Sequence, residues 1–152
     1  MRHHSGFTVV ELVTVIAIVA VLTAVAVPSY SRFLPNYRLK CAIRDLYSNL
    51  QLIRLAAIKS NGKCSIKYYT NPDRYTVMNK RTVVLEDYGS GINFDGPANQ
   101  TFAVSTITFN SRGTSNSGYA YLSNSARSAF YRVSPLSSGV VKLRRWVEGS
   151  WQ

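Results

Sequence analysis

The sequence predicts an α+β protein in which a long N-terminal helix packs on an antiparallel β-sheet domain. Two patterns support this prediction. An apolar run over residues 7–27 is followed by a helical periodicity that ends near Ser60. From Cys64 onward the chain consists of short β-rich runs that turn residues separate. A chain of 152 residues has room for one such domain and an accessory segment.

Composition limits the chemistry that the chain can perform. Lys and Arg number 18 against 7 Asp and Glu, which gives a net charge of +11 at pH 7. The only histidines, His3 and His4, stand close to the N-terminus, and the acidic residues are scattered. If the first six residues are removed, the chain loses its candidates for a histidine base and for histidine metal ligands. We therefore expect a binding or structural protein that is not an enzyme and uses no cofactor and no metal.

The first element is the apolar run from Phe7 to Val27, whose 21 residues include one charge, Glu11. As a helix it is about 30 Å long, which matches the hydrocarbon thickness of a bilayer. No small-residue cleavage site follows it, so residues 7–28 are predicted to stay attached as a membrane anchor. Flanking charge leaves the orientation open, because Arg2 precedes the run and more basic residues follow it, namely Arg32, Arg38 and Lys40.

Glu11 places a carboxylate inside this apolar run. A charge at the centre of a span costs about 2.5–3.5 kcal/mol on insertion scales, so the carboxylate needs a compensating contact. In one interpretation the side chain reaches the lipid headgroups, since it lies one turn from the start of the run. In the other it pairs with a positive group of a neighbouring molecule. The residues alone leave both interpretations open.

A second helical segment follows, with apolar residues at a repeated spacing of four and three. The predicted buried stripe consists of Leu39, Ile43, Leu46, Leu50, Ile53 and Ala57. The predicted polar faces carry Lys40, Arg44, Asp45, Ser48, Asn49, Gln51 and Arg54. Asn61-Gly62 is a typical stop signal. Joining the two segments gives a helix of about 50 residues from Phe7 to about Ser60, with bends predicted at Pro28 and Pro35.

The β-rich part contains eight predicted strands separated by turns rich in Asn, Gly and Pro. They are Cys64–Thr70, Arg74–Met78, Thr82–Leu85, Ile92–Phe94, Phe102–Phe109, Tyr119–Leu122, Phe130–Val133 and Val140–Val147. Residues 110–118 match neither the P-loop nor the dinucleotide fingerprint and are predicted to form a hairpin loop. We expect the helix stripe to lie on one face of the antiparallel sheet that these strands form.

Cys41 and Cys64 are the two cysteines of the chain. Cys41 lies about 28 Å from the predicted helix end along the axis. The residues from Ser60 to Cys64 span at most about 14 Å, whereas the Cα atoms of a disulfide lie within about 7 Å. The spacing therefore predicts two unpaired thiols.

The residues around Gly6 resemble those of a known class of proteins. The segment Ser5-Gly6-Phe7-Thr8-Val9-Val10-Glu11 resembles the class III prepilin site, with a short basic leader before it. Pro28 stands where type IV pilins carry a helix-breaking proline. The resemblance implies that a prepilin peptidase cleaves after Gly6 and methylates the new amine of Phe7. It also implies that Glu11 pairs with the Phe7 amine of a neighbouring subunit during filament assembly.

The same resemblance implies a location for each part of the chain. Residues 1–6 are the cytoplasmic leader, residues 7–28 span the bacterial inner membrane once, and residues 29–152 form a periplasmic globular domain. After assembly the subunit belongs to a filament that reaches the cell surface. The implied partners are other pilin or pseudopilin subunits, the prepilin peptidase and the inner membrane.

A narrower resemblance, to the GspH/FimT family of minor pilins and pseudopilins, rests on the second half of the chain. The residues that carry it lie in segments 107–113, 118–122 and 131–145. It implies the pilin fold and a role as a minor subunit of a type IV pilus. The alternative is a minor pseudopilin of the type II secretion system, which acts in protein export without binding DNA. The residues do not separate the two machines.

The basic surplus indicates an affinity for polyanions such as DNA. Without residues 1–28 the chain loses only Arg2 and Glu11, so it keeps 17 basic and 6 acidic residues and a net charge of +11. The densest cluster consists of Lys142, Arg144 and Arg145. On a strand, Lys142 and Arg144 share a face, and Arg145 points to the opposite one.

DNA-binding relatives of the FimT type carry a C-terminal Gly-Arg-x-Arg element. Here Gly139 is followed by two valines and Lys142, so only the glycine and the second basic position match. Arg144 and Arg145 are candidates to replace the missing phosphate contact, because non-specific binding depends on charge more than on geometry. Two interpretations remain open: non-specific binding of double-stranded DNA for uptake in natural transformation, and a purely structural role.

Overall fold

The computed structural model describes residues 7–152, without the side chains of Pro28, Ser29, Ser31 and Arg32. Helix α1 runs over Val9–Lys59, within two residues of the predicted bounds. The chain divides into two compact units, which we call the anchor segment, up to Leu34, and the globular unit, Pro35–Gln152. The bends at Pro28 and Pro35 and the domain boundaries at residues 6 and 28 stay predictions.

In the anchor segment, Thr8 caps the start of α1. Its Oγ1 accepts a hydrogen bond from the Glu11 N–H at 3.2 Å. Val9–Val27 has a mean hydropathy of 2.7 and, alone among the described residues, forms a helix long and apolar enough to cross a membrane. Its side chains are exposed in the single chain, as expected for a helix whose surroundings are lipid or other apolar helices.

The globular unit contains eight strands and one 3₁₀ helix, Leu85–Tyr88, among the described residues. The strands are β1 Cys64–Tyr69, β2 Arg74–Val77, β3 Arg81–Val84, β4 Thr106–Phe109, β5 Ala120–Ser123, β6 Phe130–Pro135, β7 Val141–Val147 and β8 Ser150–Trp151. The first sheet has the order β3-β2-β1-β4, and the second sheet has the order β5-β6-β7-β8. All neighbouring strands are antiparallel.

The predicted helix stripe is confirmed, since each of its six residues is at most 1% exposed. These side chains form one apolar cluster with residues of both sheets, among them Ile66, Tyr75, Ile107, Phe109, Leu122 and Val133. Burying one large apolar side chain stabilises a fold by about 1.5–3 kcal/mol. The stripe therefore determines which face of α1 lies against the sheets.

The strands differ from the prediction in number of sheets and in extent. Two sheets form instead of the expected single one, and β8 and the 3₁₀ helix were not predicted. Ile92–Phe94 is not a strand, because its only ladder contact is an isolated bridge between Asn93 and Ser123. Ile92 and Phe94 are nonetheless buried, so their apolar pattern indicates burial and not strand pairing. The predicted run Phe102–Phe109 shortens to β4.

The loop at residues 110–118 is not a hairpin loop between paired strands, because β4 and β5 belong to different sheets. Only an isolated bridge joins Phe109 to Ser115. The Asn116 side chain occupies the place of a partner strand. Its Oδ1 accepts from the Thr108 N–H at 2.7 Å, and its Nδ2 donates to the Thr106 carbonyl at 2.9 Å. This pairing satisfies backbone groups at an otherwise open sheet edge.

Asn49 was predicted on a polar face and is buried, with 4% of its surface exposed. Its Nδ2 donates to Asp45 Oδ2 at 2.9 Å and to the Tyr75 hydroxyl at 3.1 Å. The Tyr75 and Tyr88 hydroxyls donate to the same carboxylate oxygen at 2.7 and 2.6 Å. These bonds make the burial of Asn49 possible and connect α1 to β2 and to the 3₁₀ helix.

Alkaline pH is expected to destabilise the globular unit through these phenols. Burial and the Asp45 carboxylate raise the pKa of Tyr88 to about 12 and raise that of Tyr75 above its ordinary value of 10.0. The contribution of Tyr88 is therefore complete below pH 10 and is lost as the pH rises through about 12, and that of Tyr75 also declines above pH 10. The urea midpoint should fall over this window, and less steeply in Tyr88→Phe. The same pH dependence in both proteins would contradict this role.

Candidate functional site

The predicted processing and assembly residues lie at the start of the chain. Gly6 lies outside the described residues. Phe7 precedes α1 and is 74% exposed. Glu11 lies in the first helical turn and is exposed, and the backbone of Pro28 lies within α1. The cleavage, methylation and assembly roles of these residues stay predictions.

The predicted basic cluster lies on β7, and the strand register divides it. Lys142 pairs with Ser134, and Arg144 pairs with Arg132. Because successive side chains alternate, Lys142 and Arg144 share a face that is opposite to that of the buried Val141. We call this the outer face of the second sheet. Arg145 lies on the opposite face and is exposed, so the structure brings together two of the three predicted residues.

Arg132 belongs to the same cluster and was missed by sequence reasoning. It stands directly opposite Arg144 on the neighbouring strand, and both side chains are half-buried. Like charges at directly opposite positions destabilise a sheet. The one ion pair among the described side chains joins Arg127 to Asp95 at 2.9 Å, so neither member of the arginine pair has an acidic partner there. The alternation within the predicted strand Phe130–Val133 indicates on which face Arg132 lies. The sequence does not reveal the register with β7, which places Arg132 beside Arg144.

Aromatic side chains lie beside this cluster, and one of them contacts Arg132. The Trp151 ring stacks on the Tyr121 ring, with centroids 5.2 Å apart, and contacts the Trp146 ring at 5.1 Å. The Tyr119 and Tyr121 centroids are 5.0 Å apart. The Arg132 Cζ atom lies over the Trp151 ring, 4.8 Å from its centroid. We call this set the aromatic–cationic face: Tyr119, Tyr121, Arg132, Lys142, Arg144, Trp146 and Trp151.

The aromatic–cationic face has hydrogen-bonding capacity that the protein does not use. The Arg132 Nε atom is buried and has no hydrogen-bond partner among the described residues. Arg132 also lines a cavity of about 370 Å³, together with Tyr119 and Ser134. The face therefore offers positive charge and aromatic rings to a ligand. The described residues contain no group of three or more His, Cys, Asp or Glu that could hold a metal ion.

Gly139 has a packing reason to be glycine. Its φ is +81°, and a Cβ atom there would lie 1.7 Å from the Gly113 carbonyl oxygen. That oxygen also accepts a hydrogen bond from Arg54 Nε at 3.2 Å. The close approach joins the β6–β7 turn to the loop after β4 and to α1. The glycine match to the Gly-Arg-x-Arg element is thus explained without a phosphate contact.

Cys41 and Cys64 are free thiols in the structure, and both are half-buried. Cys41 lies on α1, and Cys64 begins β1.

Comparison with known proteins identifies the family. Residues 42–139 match the family model described as type II transport protein GspH. The chain belongs to the GspH family. Residues 1–27 of this GspH-family chain also match a model described as the prokaryotic N-terminal methylation motif. No curated protein sequence matches the chain.

A solved structure confirms the predicted pilin fold. The GspH-family chain is similar to the crystal structure of the type IV minor pilin FimU of Pseudomonas aeruginosa, with a TM-score of 0.58 and 15% sequence identity. The similarity covers 79% of this chain and 96% of that one. The predicted GspH/FimT resemblance is therefore confirmed. The apolar helix and the methylation motif fit a membrane-anchored protein with a periplasmic domain.

Proposed function

We propose that this chain is a minor pilin or pseudopilin subunit that is cleaved after Gly6, methylated at the Phe7 amine and assembled into a type IV pilus-like filament. The observation that carries the proposal is the methylation motif at residues 1–27, which overlaps the apolar helix Val9–Val27. A globular unit of the GspH family follows. Before assembly the subunit is anchored in the inner membrane with its globular unit in the periplasm. After assembly it reaches the cell surface as part of the filament.

The start of the chain is accessible for pairing between subunits. Phe7 is 74% exposed, and Glu11 is exposed one turn into α1. Cleavage after Gly6 creates a positive amine on Phe7, and a carboxylate attracts it strongly in a low-dielectric environment. The partners are other pilin or pseudopilin subunits, the prepilin peptidase and the inner membrane. Filaments sheared from cells should contain the chain, which immunoblots of the filament fraction would detect.

Two machines contain subunits of this kind. The family description names type II transport, and the similar solved structure is a type IV minor pilin. If the chain is a pilus subunit, deleting its gene should abolish surface filaments and leave protein export intact. If it is a type II secretion pseudopilin, the deletion should abolish protein export and leave surface filaments intact. Scoring both phenotypes in one deletion strain separates the two candidates.

We further propose that the subunit binds double-stranded DNA without sequence preference, as an uptake protein would. The support is the net charge of +11 together with cations on the outer face that have no acidic partner among the described side chains. The sequence prediction assigned Lys142, Arg144 and Arg145 to this role. The register favours Lys142, Arg144 and Arg132, because these three share one face.

Salt-dependent binding tests this assignment with a matched pair of variants. The full chain in a non-ionic detergent is titrated with a short labelled duplex, and affinity is measured by anisotropy at several salt concentrations. Arg144→Ala should reduce the log–log salt slope by about 1, since one phosphate contact is lost. Arg145→Ala makes the same charge change one residue away, on the opposite face, and should alter the slope less.

A second comparison separates a site from general positive charge. Replacing Arg132, Lys142 and Arg144 together by Ala should reduce the slope by up to about 3. A triple variant of Arg74, Lys80 and Arg81 removes the same charge from β2, β3 and the turn between them, in the first sheet. If the two triple variants weaken binding equally, the outer face is not a DNA site and assembly is the surviving function.

A further inference from the structure

The aromatic–cationic face combines cations with aromatic rings, and duplex DNA would contact only the cations. We infer that this face is a platform for single-stranded DNA. Bases stack on Trp146 and Trp151, while Arg132, Arg144 and Lys142 contact phosphates. This inference rests on the proposed DNA binding and names the form of DNA that is bound. A duplex presents its phosphates outward and keeps its bases stacked inside. A single strand presents both, and its bases stack on aromatic side chains of any groove or face that also binds the backbone.

The strand register places cations and indoles side by side. Arg132 and Arg144 face each other across β6 and β7, and Trp146 and Trp151 face each other across β7 and β8. Arg144 and Trp146 are two residues apart on one strand, which is about 6.8 Å along the same face. A backbone that contacts the arginine pair therefore has its bases within reach of the neighbouring indole pair.

Neighbouring side chains pack against Trp151, and both indoles are accessible in part. Trp151 rests on Tyr121, at an interplanar angle of 26°, and on the Arg132 guanidinium. Tyr121 is only 4% exposed, whereas Trp146 and Trp151 are half-buried and so keep part of each ring in solvent. Rings held in place by such packing lose little conformational freedom when a base stacks on them.

The arginine pair is unfavourable without an anion. Arg132 and Arg144 are like charges at directly opposite positions of neighbouring strands, an arrangement that destabilises a sheet. A phosphate between Arg132 and Arg144 neutralises the repulsion and accepts from both groups. Lys142 extends the positive charge along β7. Acidic polysaccharides and anionic lipids also supply such charge, but they have no planar base for the indoles, so we favour single-stranded DNA.

Intrinsic fluorescence reports on this face alone, because Trp146 and Trp151 are the two tryptophans of the chain. The full chain in a non-ionic detergent is titrated with a mixed-sequence single strand, with the duplex of the same sequence, and with an abasic single strand of the same length. We expect the single strand to bind about tenfold more tightly than the duplex and to quench the fluorescence. The abasic strand keeps the phosphates and should bind weakly without quenching.

Variants assign the effect to residues. Trp146→Ala should weaken single-strand binding by about tenfold and leave duplex binding unchanged. The matched control is Tyr69→Ala on the first sheet, where the Arg74 Cζ atom lies 4.9 Å from the ring centroid. It removes a similar aromatic–arginine pair and should change neither affinity. Circular dichroism verifies that each variant is folded, and the abasic comparison needs no variant at all.

Each remaining outcome overturns the inference in a distinguishable way. Equal binding of single strand and duplex without quenching rejects the stacking platform but leaves the proposed duplex binding intact. Equal binding of the abasic strand, or of heparin, identifies a general polyanion surface and also rejects the platform. If no DNA binds even at low salt, both the platform and the proposed DNA binding are rejected, and assembly is unaffected.

Discussion

Gly139→Ala is expected to destabilise the globular unit by about 2–5 kcal/mol. The backbone at Gly139 has a φ of +81°, which side chains with a Cβ atom rarely adopt, and the added atom would lie 1.7 Å from the Gly113 carbonyl oxygen. The turn would have to move away from the loop after β4 and from Arg54. Urea unfolding followed by tryptophan fluorescence measures the loss, because both tryptophans lie in the globular unit.

Gly149→Ala is the matched control for this variant. Gly149 also has a positive φ, +86°, but nothing lies within 4 Å of the position of its Cβ atom. Only the conformational cost applies there, which is about 1 kcal/mol. Equal losses of stability in the two variants would show that the contact with Gly113 does not constrain Gly139.

Glu11→Ala is expected to insert into the membrane normally and to be strongly depleted from sheared filaments. Removing the carboxylate eliminates the cost of a charge in the apolar run, so insertion is not impaired. It also removes the proposed partner of the Phe7 amine. Immunoblots of membrane and filament fractions measure the two effects separately.

Two further variants distinguish charge from helix structure. Glu11→Gln keeps the shape of the side chain and should be depleted like Glu11→Ala. Thr8→Ala removes the cap that accepts the Glu11 N–H, at a cost of about 1 kcal/mol, but keeps the carboxylate and should assemble. Normal incorporation of both Glu11 variants would rule out the ion pair as a requirement for assembly.

Local patterns were sufficient to predict the helix and the N-terminal motif. The spacing of Leu39, Ile43 and Leu46 predicts a buried stripe because residues three and four apart lie on one side of a helix, and all three are buried. The prepilin-like segment is contiguous, so it is visible in the sequence, and residues 1–27 match the methylation motif. Neither feature depends on contacts between distant parts of the chain.

The features that the sequence did not reveal depend on pairing at long range. The burial of Asn49 depends on Tyr75, which lies 26 residues away, and on an Asp45 carboxylate that also serves Tyr88. The same holds for Arg132, which joins the basic cluster only because β6 and β7 pair in one particular register. Alternation along β7 separated Arg144 from Arg145 correctly but said nothing about the neighbouring strand.

The intact mass of the protein extracted from membranes of its native host tests the central claim most directly. Gly6→Val serves as the control, since a bulky side chain at the cut should leave the leader attached. The account predicts that the wild-type chain begins at Phe7 and carries one additional methyl group on its amine. A wild-type protein that still begins at Met1, with no methyl group, would contradict it.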